Sequence, residues 1–144
     1  MNDPKAFFDT NILLYVYGGD DAGKRAVAAQ IFRSHTRTAQ AVISTQVVQE
    51  FYSVATRKLG VPRDVARAIV RDLLNLPIVN IGAECVLTAL GIEDRYRISF
   101  WDALIIAAAE AADASVLFTE DLNDGQQYGT VVARNPFSGA TNMP

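Results

Sequence analysis

Apolar positions along the chain fall into short runs and helically spaced stretches that follow one another in turn. Residues 5–8, KAFF, form a brief apolar run that stops at Asp9 and reads as a first strand. DTNILLYVY then turns into a short apolar helix, and DDAGKRAVAAQIFRSH carries alanine, aliphatic and charged positions at helical spacing. QAVIS is a second strand candidate, followed by STQVVQEFYSVATRKL with Ser44 or Thr45 placed to cap a helix. VPRDVARAIVRDLLNL has Pro62 near a helix start and an apolar stripe of Val65, Ile69, Leu73 and Leu76. LPIVNI is a third strand, AECVLTALGIEDRYRI a helix with a break expected near Gly91, and SFWDALIIAAAEAAD a helix capped at Ser99. SVLFT and TVVAR supply a fourth and a fifth strand, and the tail NPFSGATNMP reads as loose.

Strands alternating with helices imply a mostly parallel sheet with helices on both faces. In such sheets the carboxyl ends of the strands gather along one edge, where ligands bind. That edge collects acids. Asp9 comes directly after the first strand, and Asp121 a few residues after the fourth. Asp102 lies in the first turn of the helix after Ser99, and Glu50 in the second turn of the helix after the second strand, beside the stripe of Val47, Phe51 and Val54. Each acid has an ordinary structural use: an Asx turn or cap for Asp9 and Asn11, a near capping box for Asp102, a turn for Asp121 and Asp124, a surface position for Glu50. Their joint placement at strand ends and helix starts is harder to reach by accident. WDALIIAAA is apolar on nearly every helical face, so Asp102 is a single acid at the mouth of a buried helix.

Four converging carboxylates repel one another, and some take up protons unless a cation intervenes. No lysine or arginine lies within these motifs at a neutralising position. A hard divalent ion with oxygen ligands is the natural counter-charge, and Mg²⁺ or Mn²⁺ suits few carboxylates plus water and phosphate better than Ca²⁺ does.

Composition narrows the choices further. The chain has 144 residues, half of them apolar and 20% charged, which fits one globular domain. We place that domain at residues 1–136 and a tail at 137–144. A net charge of −3 argues against coating nucleic acid by bulk electrostatics, but not against an enzyme that neutralises phosphate locally. One cysteine, Cys85, excludes an internal disulfide, and no apolar run is long enough to cross a bilayer, so a cytoplasmic protein is expected. The single histidine, His35, sits in the polar stretch RSHTRT and reads as solvated surface, which disfavours histidine-based cleavage of RNA.

The motifs FFDTNILLY, QVVQEFY, SFWDALIIAAA and LFTEDLNDGQ resemble, in order and spacing, those of the PIN-domain nucleases, and of VapC-like toxins in particular. The resemblance implies a Rossmann-like three-layer α/β/α sandwich with a mostly parallel sheet of about five strands. It also implies Mg²⁺- or Mn²⁺-dependent endoribonuclease activity leaving 5′-phosphate and 3′-hydroxyl ends. Asp9, Glu50, Asp102 and Asp121 occupy the family's acidic positions, with Thr119 and Asn11 as their supporting shell. Asn123 stands where many members carry a second aspartate, which leaves Asp124 a doubtful ligand, and Glu120 competes with Asp121. On this reading Asp9 and Asp102 bind the metal, Asp121 completes the site, and Glu50 holds the attacking water. Arg95, Arg97, Arg57 and Lys58 are candidates for an RNA-binding rim, although the helix dipole alone favours cations at such positions. The implied partners are an RNA substrate, with loops and single strands favoured, a VapB-like antitoxin and a second copy of the chain. The alternatives are a PIN nuclease of RNA maturation or decay with no antitoxin, and a PIN module that binds RNA or protein without cutting.

Overall fold

The computed structural model describes residues 4–138, in the order β1 (Lys5–Phe8), α1 (Thr10–Tyr17), α2 (Ala22–Arg37), β2 (Ala41–Ser44), α3 (Thr45–Arg57), α4 (Arg63–Leu73), β3 (Ile78–Val79), α5 (Ala83–Tyr96), α6 (Phe100–Ala111), β4 (Ala114–Phe118), β5 (Gln127–Tyr128) and β6 (Val131–Arg134). The sheet runs β3-β2-β1-β4-β6-β5. Five strands are parallel, as expected, and a sixth, the two-residue β5, pairs antiparallel with β6. Helices cover both sides of the sheet, giving the layered α/β sandwich. From β1 the chain steps to β2 and β3 on one side, then returns to place β4 on the other. The split between β1 and β4 is therefore the switch point at which such sheets open a crevice.

β1 is flanked on both edges, and Ala6, Phe7 and Phe8 are all buried, which is why this strand is continuously apolar rather than alternating. Its register sets Phe7 opposite Leu117 and Phe8 opposite Phe118. Beyond the last pair the ladder gains one more bond, from Asp9 N–H to the Phe118 carbonyl at 3.0 Å. α6 is the most buried helix of the core, with Ala103 through Ala109 all buried. Its alanines let the backbone come close to α5 and β4.

Caps fix the helix starts. The Ser44 hydroxyl accepts from Val47 N–H at 3.3 Å and is the cap of α3, while Thr45 accepts from Ile81 N–H at 3.1 Å and ties down the segment after β3. Ser99 accepts from Asp102 N–H at 3.1 Å. The break expected near Gly91 does not occur: α5 runs unbroken from Ala83 to Tyr96. Gly91 faces solvent with no neighbour near its Cα, so the helix passes through it at only the entropic cost of a glycine. The helix ends instead at Arg97, whose φ of 56° is left-handed.

The expected stripe divides, and Leu76 falls beyond the end of α4. Leu73 is buried, Ile69 and Leu76 are half-buried, and Val65 is exposed. The stretch from Asn135 is held rather than loose at its start, since Phe137 is buried and meets the Tyr15 ring edge-on at 5.1 Å. The remainder of the expected tail, 139–144, lies outside the described residues. Among the described residues no helix is long and apolar enough to cross a membrane.

A methyl group at Gly91 would meet no atom within 4 Å, so Gly91→Ala gains helix propensity at no steric cost. We expect it to stabilise the chain by about 0.5–1 kcal/mol in urea unfolding. A loss of stability would show that the glycine has a packing function.

Candidate active site

Each predicted acid reaches the switch-point edge by a different local device. Asp9 is carried there by the end of β1 and caps α1, its Oδ1 accepting from Thr10 N–H at 2.7 Å. Asp102 sits in the first turn of α6 behind the Ser99 cap. Asp121 lies just past β4, on a bend that Thr119 shapes by accepting from Asp121 N–H at 3.1 Å. Glu50 projects from α3 between the buried Val47 and Phe51. All four line a single cleft of about 320 Å³, together with Thr10, Asn11, Gln46 and Trp101.

Neutral donors bind the acids together. The Thr119 hydroxyl donates to Asp9 Oδ2 at 2.8 Å. Asn11 Nδ2 donates to Asp121 Oδ2 at 2.9 Å and more weakly to Thr119 Oγ1 at 3.4 Å. The Thr10 hydroxyl donates to Glu50 Oε1 at 2.9 Å. Thr119 is fully buried and thus links two acids and an amide through one oxygen.

Asp9 is only 5% exposed. Burial pushes its carboxyl up from 3.8 to about 7, against the hydrogen bonds from Thr119 and Thr10, and the charges of Asp121 and Asp102 push the same way. The Asp102 carboxyl is also raised, first by burial and then by Asp121, with the Ser99 hydroxyl pulling it down. Among the described residues, no lysine, arginine or histidine lines the cleft. Such a site gains free energy from any positive charge that enters it.

The donor set fits a hard divalent cation: carboxylate oxygens that repel one another, in a wall without cations. A further acceptor points the same way, since Asn11 Oδ1 is buried with no hydrogen-bond donor among the described residues. Among the described residues, however, no three acidic, histidine or cysteine side chains are gathered closely enough to ligate an ion by themselves. Direct coordination by one or two carboxylates, with water in the remaining positions, is the mode this spacing permits and the one Mg²⁺ favours.

The other sequence candidates fall outside the cleft. Glu120 turns away from it and is neutralised, accepting from Tyr15 Oη at 2.8 Å and Lys24 Nζ at 3.1 Å. Asp124 accepts from Asn135 N–H at 2.8 Å and from the Ser138 hydroxyl at 2.9 Å, and these bonds hold its carboxyl low. It fastens the chain after β6 and lies away from the acids. Arg95, Arg97, Arg57 and Lys58 do not line the cleft, but Arg57 approaches it through a 3.4 Å bond to the cleft residue Ser53. His35 is not solvated surface. It is half-buried, its Nδ1 lies 2.7 Å from the Ile31 carbonyl, and its ring meets Phe8 and Phe118 edge-on. Thr10, Ser53, Gln46 and Trp101 also line the cleft and carry no signal in the sequence, because none is an acid, and the meeting of Gln46 with Trp101 depends on how α3 and α6 pack. Gln46 Nε2 donates to the Trp101 carbonyl at 3.3 Å.

Since the folded chain holds a proton on Asp9 that the unfolded chain releases, the contribution of Asp9 to metal-free stability should be fully present below about pH 4. That contribution should be lost as pH rises from about 4 through about 7, by on the order of 4 kcal/mol. Asp9→Asn should flatten that loss, so the difference between variant and parent in urea unfolding with EDTA grows from pH 5 to pH 8. Parallel pH profiles for the two would refute the burial account.

Comparison with known proteins agrees with this architecture. A toxin–antitoxin complex from Klebsiella pneumoniae superposes with a TM-score of 0.70 at 23% identity, covering 92% of this chain and 98% of that one. VapC20 of Mycobacterium tuberculosis, described as a sarcin–ricin loop cleaving toxin, gives 0.67 at 21% identity, covering 81% and 92%. VapBC2 of Rickettsia felis, bound to a DNA fragment of its promoter, gives 0.66 at 19%, covering 90% and 97%. At these identities the likeness is one of fold. No curated protein matches the chain by sequence. The PIN domain family model, by contrast, matches residues 6–124, a span that contains every acid of the cleft, and the chain belongs to the PIN domain family.

Proposed function

We propose that the chain is a divalent-metal-dependent endoribonuclease that hydrolyses RNA phosphodiester bonds, and that it is the toxin of a VapBC-like pair acting in the cytoplasm. One observation carries the reading: four carboxylates from four separate segments line one cleft to which the described residues bring no cationic side chain. Asp9 and Asp102 would hold Mg²⁺ or Mn²⁺ directly, with Asp121 completing the site through bound water. Such an ion supplies charge neutralisation at the phosphate and a more acidic water.

The chain's own groups do the positioning. Thr119 fixes one oxygen of Asp9 and Thr10 N–H the other, so this carboxylate cannot rotate. Asn11 holds Asp121. Thr10 engages one oxygen of Glu50, which leaves the other to orient the attacking water and take its proton. Attack by water with departure of the 3′-oxygen leaves 5′-phosphate and 3′-hydroxyl ends. His35, engaged with Ile31 and two phenylalanines, is not placed for the alternative route through a cyclic phosphate.

The toxin reading is supported by the company this fold keeps, since the Klebsiella structure is a toxin–antitoxin complex and the Mycobacterium one a VapC toxin. A VapB-like antitoxin and a second copy of this chain are the partners we propose, and exposed Val65 on α4 and Val86, Leu87 and Leu90 on α5 offer apolar surface for them. Arg57, Lys58, Arg95 and Arg97 are the proposed rim for RNA.

Pure protein incubated with labelled RNA and Mg²⁺ should release fragments bearing 5′-phosphates, and EDTA should stop this. Asp9→Asn and Glu50→Gln should each slow cleavage by about 100-fold or more while circular dichroism stays unchanged. Undiminished cleavage by folded Asp9→Asn would remove the assignment. Growth arrest on induction, relieved by co-expression of an adjacent small gene, tests the toxin half of the proposal separately.

A further inference from the structure

The cleft poses a problem of affinity that its acids cannot solve. RNA is a polyanion, the chain carries a net charge of −3, and no lysine or arginine among the described residues lines the site. A bound divalent ion can grip one phosphate, but the flanking nucleotides need an attraction that does not depend on charge. Trp101 supplies one. It lines the cleft immediately before Asp102, on the same first turn of α6, and is 62% exposed although it is the only tryptophan in the chain. Its place is fixed twice: Gln46 holds its carbonyl at 3.3 Å, and its ring lies edge-on to Phe100 with centroids 5.3 Å apart. Gln46 is itself buried, so the anchor belongs to the core rather than to the surface.

Resting on the nuclease reading above, we propose that Trp101 is a stacking platform for an unpaired base next to the bond being cut. An indole face accepts any base and costs no charge compensation. A base can reach it only when it is out of a duplex, so the platform would bias the enzyme towards nucleotides that are looped or single-stranded at that position. Gln46 acts through Trp101, as a positioning residue.

The single tryptophan makes the test direct. Titrating the Asp9→Asn chain, with Mg²⁺, with a short single-stranded RNA should quench tryptophan fluorescence. A ribose-phosphate oligomer of the same length without bases should not. In the otherwise unaltered enzyme, Trp101→Ala should raise KM for single-stranded RNA by about 5- to 100-fold with kcat changed far less, and Trp101→Phe should recover most of the loss. The proposal is overturned if labelled RNA binds by anisotropy without quenching the indole, or if the base-free oligomer quenches equally. It is also overturned if Ala and Phe are equally damaging, or if Trp101→Ala alters only oligomeric state, which would give the indole to a protein interface. RNA that neither binds nor is cut by the unaltered chain defeats the nuclease reading itself, and the platform with it.

Discussion

Removing the Asp9 carboxylate from water is the constraint on which the rest of the site depends. The central strand β1 has neighbours on both edges, and its terminal acid is tied to β4 through the Phe118 carbonyl, so it cannot turn outward to solvent. Two hydrogen bonds, from Thr10 and Thr119, leave its carboxyl still raised. The neighbouring acids are restrained in the same manner, by Asn11, Thr10 and Ser99, all of which are neutral. Lys24, a cation near this edge, is engaged with Glu120, so it removes a fifth negative charge from the vicinity without diluting the other four. The fold thus assembles negative charge, fixes its geometry with hydroxyls and amides, and leaves neutralisation to something that arrives from outside. A proton or a metal ion meets that need, and the two compete.

Much of this arrangement was legible because parallel sheets impose a simple rule: residues just past the end of a strand, or in the first turn of a helix, stand at the carboxyl edge. KAFF ending on Asp9, Ser99 three residues before Asp102, and Ser44 ahead of QVVQE all express it. The features that were not legible depended on tertiary detail. β5 has two residues and no periodicity to detect. Gly91 looks like a helix breaker until the neighbouring turns outweigh its roughly 1 kcal/mol penalty. His35 lies in a polar string, yet the ring folds back between Phe8 and Phe118, which are distant in sequence. Glu120 and Asp121 are adjacent acids, and only the direction of the chain after β4 decides that one meets Lys24 and the other Asn11. Gln46 and Trp101 carried no signal because an amide and an indole have no fixed meaning until their surroundings are known.

The packing of α6 ties catalysis to stability. A run of small side chains seats this helix against α5 and β4, and both Asp102 and Trp101 ride on its first turn. The group proposed to help hold an ion and the group proposed to hold a base therefore move as one rigid piece, set by the core. The acids oppose stability in another way, since the most buried of them is more comfortable neutral than charged. Sites of this kind commonly trade some stability for function.

The rims of the sheet have a consequence for recognition. Its outermost strands, β3 on one side and β5 on the other, are each two residues long. Strands so brief expose almost no unpaired backbone, which guards against accidental aggregation. They also deny visitors the commonest route by which an extended peptide attaches to an α/β protein, by lengthening its sheet. Whatever binds this molecule must read the contours and chemistry of its side chains, so its choice of associates is encoded in residues that can change one at a time without disturbing the scaffold.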